Sequence, residues 1–239
     1  AVLSALTDTT ISASVSGTDA AGNTFTAIND ATDGGFTVDV SVSLPTIDLA
    51  VTSDSGDSDT DNLTNQTSVT LTLGNIDSDA ASVEVFNGDE SLGTATQVAG
   101  VWTLITEVDG LDEGGNDLTV TVTDTAGNSN SSTILDVTLD TSASATISID
   151  AIGGDGILNA SELVGNNVAI TGSVGGDASE GDTVTLSVTL NDGTTASYPG
   201  LVNDNGTYSI GIPSAVLSAL TDTTISASVS GTDAAGNTF

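Results

Sequence analysis

Apolar and polar residues alternate along much of the chain, in short runs separated by turn-forming residues. Between residues 45 and 141 the runs cover 46–52, 68–74, 81–87, 92–97, 101–106, 117–123 and 133–139. Neighbouring side chains in a strand point to opposite faces, so this alternation predicts strands with one buried and one solvated face. The residues that this spacing assigns to the buried face are Val69, Leu71, Leu73, Val83, Val85, Val120 and Val122.

Asn-Gly, Asp-Gly and Gly-Gly pairs separate the runs and are typical of tight turns. Antiparallel strands that are apolar on one face and polar on the other pack as two facing sheets. The pattern therefore predicts an all-β chain of antiparallel β-sandwiches with about seven strands each. Residues 159–165 (NASELVG) form the one stretch where we expect a helical turn.

The chain begins and ends with the same 25 residues, because 1–25 and 215–239 are identical. A second marker, TDxAGN, occurs three times, with its Asp at positions 19, 124 and 233. A third marker is an apolar strand that ends in Asp, as in FTVD (36–39) and VTLD (137–140). These markers predict a linear array of two related but distinct repeats.

The markers divide the chain into three segments. Residues 1–44 are predicted to be the last strands of one repeat, and 45–141 a complete repeat of the other type. Residues 142–239 are predicted to repeat the first type without its last strand, which corresponds to Thr26–Val40. We expect Thr26–Val40 either to pack into the incomplete repeat of another copy, head to tail, or to belong to a longer continuous array.

The strongly negative net charge of the chain argues against some classes of binding partner. The chain has no Lys, Arg or His and 33 acidic residues, a net charge of −33 at pH 7, although 37% of its residues are hydrophobic. Nucleic-acid binding depends on Lys and Arg, so it is strongly disfavoured, and no apolar run is long enough to insert into a membrane. No cysteine is present to form disulfides or thiolate metal sites.

Without cationic side chains, only solvent, salt, N–H groups or a bound cation can offset the carboxylates. Six of the 33 acidic residues are Glu and 27 are Asp. Asp favours turns, and Ca²⁺ prefers oxygen ligands of this kind. A salt-tolerant soluble surface is one interpretation, and structural binding of several Ca²⁺ ions is the one we favour. Catalysis is not expected, because the chain has no His, Cys, Lys or Arg to act as a base, nucleophile or anion clamp.

TDxAGN after an apolar strand, the terminal VD, GDGILNASE (154–162) and GTYSIGIPSAVL (206–217) together resemble the bacterial Ig-like repeats of giant adhesins. Those adhesins are RTX-type proteins that Gram-negative bacteria export by type I secretion. The resemblance covers nearly the whole chain and implies tandem Ig-like sandwiches in a linear array on the bacterial cell surface, with Ca²⁺ at the domain junctions. It also implies that neighbouring repeats are the main partners. The absence of Lys and Arg departs from the family.

Strand order in an Ig-like sandwich places the loops at two ends. The residues predicted near the incoming linker of 45–141 are Asp39, Asp77, Asp79, Asp124 and Asn128. Those predicted at the opposite end are Asp54, Asp57, Asp59, Asp61, Asp109, Asp112, Glu113 and Asp140, facing Asp177, Asp233 and Asn237 of the next repeat. Carboxylates would then meet across each junction and repel unless a divalent ion bridges them.

Two further acidic stretches carry weaker signals. DSDTDN (57–62) opens like an EF-hand loop, but its twelfth position is Ser68 rather than Glu, and no helices flank it. It either binds one ion within its repeat or is a solvated acidic loop. GGDG (153–156) is interpreted as a turn in which Asp155 is a candidate ligand.

The sequence therefore predicts an extracellular spacer that Ca²⁺ makes rod-like within a giant cell-surface adhesin. Two other functions stay open at this point. One is a repeat unit of a self-assembling filament or sheath, and the other is a Ca²⁺-dependent carbohydrate-binding module. The second would need an aromatic shelf, whereas alternation places Trp102 in the core.

Overall fold

The computed structural model describes residues 8–10, 13–28, 35–108, 110–221 and 224–239. The chain is built almost entirely of β-strands in antiparallel sheets, as tandem Ig-like β-sandwiches. The predicted fold class is confirmed. Among the described residues, no helix has the length and apolar character needed to cross a membrane.

The first fourteen strands lie before residue 140. They are β1 (Asp8–Thr10), β2 (Ser14–Thr18), β3 (Thr24–Ile28), β4 (Gly35–Thr37), β5 (Thr46–Leu49), β6 (Leu63–Thr64), β7 (Thr70–Gly74), β8 (Ala80–Asn87), β9 (Glu90–Thr94), β10 (Thr96–Val98), β11 (Val101–Ile105), β12 (Gly114–Asp124), β13 (Ser129–Ser131) and β14 (Leu135–Leu139). The remaining elements are β15 (Ala145–Ile149), a 3₁₀ turn (Ile152–Gly154), β16 (Asn167–Gly176), β17 (Thr183–Thr189), β18 (Thr195–Leu201), β19 (Thr207–Pro213), helix α1 (Ser214–Ala219) and β20 (Ile225–Ser230).

The sheets follow the order expected of sandwiches. Residues 46–139 form one sheet in the order β10-β11-β7-β5 and another in the order β6-β14-β12-β8-β9, with β13 also paired to β12. Residues 145–230 form the sheets β15-β16-β19 and β18-β17-β20. Near the start of the chain, β1 pairs with β4 and β2 with β3. The pairs β1–β4, β2–β3, β8–β9, β10–β11, β12–β13 and β12–β14 are antiparallel, as are the pairings between 145 and 230, whereas β6 and β14 are parallel.

The chain divides into two compact units. One comprises Ala1–Ile47, Thr72–Leu104 and Thr119–Ile134, and the other comprises Asp48–Leu71, Ile105–Leu118 and Leu135–Phe239. The repeat boundaries predicted from the sequence, after residues 44 and 141, stay a prediction.

The core of the first unit is aliphatic. Its buried side chains are Leu73, Val83, Val85, Ala95, Val120 and Val122. In the second unit Val69 and Leu71 are also fully buried. The alternation prediction is therefore confirmed for each of the seven positions that it assigned to the buried face.

A second aliphatic cluster fills the sandwich between β15 and β20. It consists of Val168, Ile170, Val184, Leu186, Val188, Val202, Tyr208, Ile210, Ile212 and Leu217. Tyr208 is the one aromatic member, and its buried hydroxyl donates a hydrogen bond to the Ser148 carbonyl at 2.8 Å. Burial raises the pKa of the Tyr208 phenol, and the nearby Asp150 carboxylate raises it further. Trp102, expected in the core, is only half-buried.

Three elements were not predicted from the sequence. β6 and β13 are only two and three residues long, so neither shows a repeated alternation. Helix α1 follows Pro213 and is too short to be stable by itself. It is held by packing, because Leu217 is buried and Ser214 donates from its N–H to the Asn166 carbonyl and from its hydroxyl to the Gly165 carbonyl. The turn expected at 159–165 is present without a regular helix.

Leu186→Ala tests the importance of the second cluster. The Leu186 side chain is fully buried, whereas Leu201 on the neighbouring strand β18 is 61% exposed. We expect Leu186→Ala to lower the free energy of unfolding by about 2–5 kcal/mol, through lost burial and the cavity left behind. Leu201→Ala is the control and should change it by about 0.5 kcal/mol or less. Urea unfolding monitored by circular dichroism measures both, and equal effects would contradict the assigned core.

Candidate metal centres

The TDxAGN motif folds into the same turn at all three of its positions. In each copy the Asp carboxylate accepts hydrogen bonds from the backbone N–H and the side-chain amide of the Asn four residues later. The N–H bonds of Asn23, Asn128 and Asn237 each measure 2.8 Å. The amide bonds measure 3.0, 2.7 and 2.9 Å in the same order. The motif therefore closes a hairpin loop through hydrogen bonds among its own residues.

Glycine makes this turn feasible. Gly22, Gly127 and Gly236 have φ angles of 88°, 91° and 94°, in the left-handed region that residues with a Cβ seldom adopt. Each of these glycines also donates its N–H to the carbonyl of the motif's Asp. The motif thus presents one carboxylate in a constant orientation at the end of a strand.

The turn also keeps its carboxylate ionised. The Asn128 side-chain amide lowers the pKa of Asp124, burial acts against it, and the N–H groups of the turn lower it further. The pKa of Asp233 is also lowered: burial opposes ionisation there, but the hydrogen bonds from Asn237 outweigh it. An ionised carboxylate with lone pairs remaining on both oxygens is a suitable ligand for a hard cation.

Asp39, Asp79 and Asp124 come together within the first unit. One carboxylate oxygen from each lies within 4.8 Å of those of the other two, and no other group of three acidic residues is this close among the described residues. Asp124 ends β12 and is buried, Asp39 is half-buried, and Asp79 is exposed just before β8. The Thr125 N–H donates to the Asp79 carbonyl at 3.1 Å, which ties the two loops together.

No cationic side chain exists to neutralise this acidic triad. The backbone N–H of Asp79 lowers the pKa of its own carboxyl, but burial and the carboxylates of Asp39 and Asp124 outweigh that effect and raise it. Three carboxylates that repel each other at this distance favour a proton or a bound cation. The triad can therefore supply at least three of the six to eight oxygens that Ca²⁺ takes.

Neighbouring hydrogen bonds hold the segment after Asp39 against the same loops. The Asp77 carboxylate accepts from both the N–H and the hydroxyl of Ser43, each at 2.7 Å, and these bonds lower the pKa of Asp77. Asn75 and Asn130 donate from their amides to the carbonyls of Leu44 and Val42. These polar contacts help to hold the segment that follows Asp39 near the loops that carry Asp79 and Asp124.

A second acidic group surrounds Asp54 in the second unit. Asp54 is only 7% exposed, and its Oδ1 atom has no hydrogen-bond partner, unlike every other buried side-chain oxygen or nitrogen of the described residues. Its Oδ2 atom accepts from the Asn62 N–H at 3.2 Å. Burial raises the pKa of Asp54, the Asn62 bond opposes this, and Asp61 and Asp59 raise it further.

The loop that carries this Asp54 site lies against the last TDxAGN turn, also within the second unit. The Asp57 N–H donates to the Ala234 carbonyl at 3.3 Å, and the Ser55 hydroxyl donates to the Ala235 carbonyl at 2.7 Å. Gly56 is required here, because a Cβ on it would lie 1.9 Å from the Ala234 carbonyl oxygen. The Asn237 amide donates to the Asp140 carbonyl at 2.8 Å.

Comparison with known proteins identifies the fold of the central region. Residues 40–141 match the sequence model of the bacterial Ig-like domain family. Over these residues the chain is similar to bacterial Ig-like domains. The resemblance to bacterial Ig-like repeats, which the motifs indicated, is confirmed. No curated protein matches the chain by sequence.

Solved structures add relatives over a longer span. A Ca²⁺-stabilized adhesin that helps an Antarctic bacterium reach out and bind ice is 31% identical, with a TM-score of 0.54. The match covers 99% of this chain and 55% of that one, so this chain spans about half of its relative's length. A tetra-tandem repeat from the extending region of a large adhesion protein is 21% identical over 98% of this chain and 55% of its own, with a TM-score of 0.33.

The other predicted ligands fall outside the acidic triad. Asp57, Asp59 and Asp61 share the loop of Asp54, and Asp61 accepts from the Leu63 N–H. The exposed carboxylates of Asp155 and Asp177 accept from the N–H groups of Ile157 and Ser144. Asp112 is exposed, with its N–H bonded to Asn116, and Glu113 accepts from Thr141. Asp109 lies outside the described residues.

Sequence reasoning missed several polar residues that position the bacterial Ig-like domain's carboxylates. Ser43 binds Asp77, Asn62 binds Asp54, and Ser55 binds the turn at 234–235. One repeated feature could have revealed the first of these. The Ser144 N–H donates to Asp177 at 2.7 Å as Ser43 does to Asp77, and each Ser lies four residues after the Asp that ends a strand.

Asn128→Ala tests the role of the turn amide. The variant removes the group that does most to lower the pKa of Asp124, so that pKa should rise toward the ordinary value of about 3.9. The carboxylate's lowered pKa stabilises the fold above the unfolded-state pKa and ceases to do so as the pH falls through the folded-state pKa. We therefore expect acid unfolding of Asn128→Ala to begin at higher pH than in the parent.

Carboxyl carbon NMR titration in metal-free buffer measures this pKa directly. Asn130→Ala is the matched control, because its amide donates to a backbone carbonyl and not to a carboxylate. An unchanged Asp124 pKa in Asn128→Ala would show that the hydrogen bond does not control ionisation.

Proposed function

We propose that this chain is a structural extender segment of an extracellular adhesin, in which bound Ca²⁺ holds successive Ig-like repeats in line. The parent protein would be an RTX-type adhesin of a Gram-negative bacterium, exported by type I secretion and active in cell adhesion and biofilm formation. The observation that carries the proposal is the acidic triad at the end of a bacterial Ig-like domain, in a chain with no cationic side chain.

The residues present fit a hard divalent cation at two places. The acidic triad offers three carboxylates with ligand atoms within 4.8 Å of one another. The Asp54 site offers a buried carboxylate oxygen without a hydrogen-bond partner, near Asp59 and Asp61. An unpaired buried carboxylate oxygen is costly, and a bound cation would remove that cost.

Asp39, Asp79 and Asp124 would hold one ion, and Asp54 with Asp59 and Asp61 another. When bound, Ca²⁺ supplies positive charge and no reaction chemistry. Asp39 belongs to the segment that enters the domain, while Asp79 and Asp124 belong to the loops of the domain itself. Joining these three carboxylates through one ion would couple the incoming segment to the domain, whereas repulsion among them would otherwise drive it away.

The extracellular setting supplies the conditions for this role. Extracellular Ca²⁺ modules bind with dissociation constants of about 10⁻⁴–10⁻³ M, and sites of this kind fill only where calcium is abundant. A chain of this charge would stay flexible in the calcium-poor cytoplasm and stiffen after export. The similarity to a Ca²⁺-stabilized adhesin supports this proposal.

Thermal unfolding with and without calcium tests whether bound Ca²⁺ stabilises the native state. At a free Ca²⁺ concentration about 100-fold above the dissociation constant, a single site adds about 2.7 kcal/mol to the native state. For a chain of this size that raises Tm by about 5–10 °C over the value in EDTA. In Asp79→Asn, most of the Tm increase that comes from an ion at the acidic triad should be lost, because the variant removes the charge of one ligand at an exposed position. Asp89→Asn, in an exposed turn outside both sites, is the control.

A Tm in Ca²⁺ that equals the Tm in EDTA would remove the cation from this account. Equal losses for Asp79→Asn and Asp89→Asn would place any bound calcium elsewhere.

Distance measurements test whether Ca²⁺ holds successive repeats in line. Because the chain has no cysteine, Glu90→Cys with Asp192→Cys gives two unique labelling sites, one in 45–141 and one in 142–239. We expect the distance distribution from double electron–electron resonance to narrow when Ca²⁺ replaces EDTA, since an ion held by Asp54, Asp59 and Asp61 would order the loop that donates hydrogen bonds to the turn at 234–235. Glu180→Cys with Asp192→Cys, both in 142–239, is the control and should not change. A broad distribution that persists in saturating Ca²⁺ contradicts the extender role.

A further inference from the structure

The short strand β6 lies parallel to the end of β14, and both strands belong to the second unit. The Thr138 N–H donates to the Asn62 carbonyl at 2.9 Å. The Asp140 N–H donates to the Thr64 carbonyl at 2.8 Å. The last strand of the region 46–139 is therefore fastened directly to one of its early strands.

The parallel direction of this pair decides how it responds to tension along the chain. The chain enters β6 at Leu63 and leaves β14 at Leu139, and in a parallel pair these are opposite ends. A pull from both sides therefore slides the two strands past each other and loads their hydrogen bonds together, because the bonds run between the strands and across the direction of sliding. A pull on two ends that lie side by side would instead peel the strands apart and break the bonds one at a time.

Packing protects the pair from water. Thr64 of β6 is fully buried, and Val137 and Leu139 of β14 are buried as well. Along its other edge β14 pairs with β12 through five residue pairs. Because water has little access to the bonds between β6 and β14, it cannot readily replace them while the strands stay together.

The segment that leaves β14 is held at the same place. The Glu113 carboxylate accepts from the N–H of Thr141 at 3.2 Å and from its hydroxyl at 2.9 Å. The Asp140 carbonyl accepts from the Asn237 amide at 2.8 Å. A pull from beyond Thr141 therefore acts on these contacts before it reaches the buried part of β14.

Hydrogen bonds also close the base of the loop that precedes β6. The Asp54 Oδ2 atom accepts from the Asn62 N–H, and the Ser55 N–H donates to the Leu63 carbonyl, both at 3.2 Å. Asn62 has a φ angle of 59°, in the left-handed region that Asn adopts more readily than most residues, and its carbonyl is the acceptor of the Thr138 N–H. These bonds pass a pull on Asp54 across the base of the loop to the first residue bonded to β14.

We propose that the β6–β14 pair is a shear clamp, which bears the load when the chain is stretched and so gives this segment a mechanical function. The purpose of the clamp rests on the proposed role as an extender, because an extender that links a cell to its attachment site carries tension along its length. The clamp itself consists of hydrogen bonds and packing and needs no metal.

Separation of β14 from β6 is the step that tension must drive. Val137 and Leu139 are buried, so they leave the core only when β14 moves. Forced unfolding is governed by the rate of unfolding, and a pair whose bonds must break together slows that rate under load. An ion held by Asp54, Asp59 and Asp61 would stiffen the loop in front of the clamp, without being part of it.

Single-molecule force spectroscopy with two pulling geometries tests the clamp. Because the chain has no cysteine, pairs of Cys substitutions give unique attachment points in the full chain. Val51→Cys with Ser142→Cys, both at exposed positions, pulls β6 and β14 from opposite ends. Thr67→Cys with Ser142→Cys pulls them from the same end and is the matched control. We expect a several-fold higher unfolding force for the first pair at the same pulling speed, and equal forces would overturn the proposal.

Thr138→Pro, added to each pair of Cys substitutions, tests the hydrogen bond itself. Proline has no N–H, so the variant removes the donor to Asn62 at a position whose side chain is exposed. The force in the sliding geometry should fall, because fewer bonds share the load, whereas the force in the peeling geometry should change little. Equal loss in both geometries would indicate general destabilisation and contradict the clamp. Should Thr138→Pro fail to fold, the comparison of geometries in the intact pair decides the proposal by itself.

Repeating the force measurements in EDTA separates this inference from the calcium proposal. A difference between the two geometries that persists in EDTA, together with a Tm that Ca²⁺ does not change, would support the clamp and refute only the calcium role. Equal forces in the two geometries, together with a Tm that Ca²⁺ raises, would refute only the clamp.

Discussion

Carboxylates without cationic partners are the constraint on which this structure depends. Each of the 33 acidic side chains must be stabilised by water, salt, metal or the protein's own N–H and O–H groups. The chain meets much of this demand locally, with turns in which an Asp accepts from residues two to four positions later. Such turns fix the direction of their carboxylates at little entropic cost, because the donors are neighbours in sequence.

Where carboxylates from different loops meet, local hydrogen bonds are not sufficient. Asp39, Asp79 and Asp124 come from an entering segment and two separate loops, and the Asp54 oxygen is buried without a partner. Among the residues that the structure describes, these are two places where the fold gathers charge that the protein itself does not neutralise. The proposed calcium binding would act at these places, because a bound ion offsets the repulsion among the carboxylates.

The aliphatic cores impose a second and independent constraint. In the sheet of residues 46–139, the strand β14 beside β12 contributes the buried side chains of Val137 and Leu139. Between residues 145 and 230 the buried apolar side chains come mainly from β16, β17 and β19. The charge constraint therefore governs the loops, whereas the packing constraint governs the sheets.

The alternating pattern by itself determined the strands and their buried faces, because a period of two is a local property of an extended chain; Val69, Leu71 and Leu73 illustrate this. The repeated TDxAGN likewise determined its turn, since donor, acceptor and glycine lie within six residues. Helix α1, the short strand β6 and the choice of Asp39, Asp79 and Asp124 among the five residues predicted near the incoming linker were decided only by the tertiary structure. Each depends on segments far apart in the chain, and the distance between two side chains on different loops is set by the packing of the sheets beneath them rather than by their spacing in the sequence.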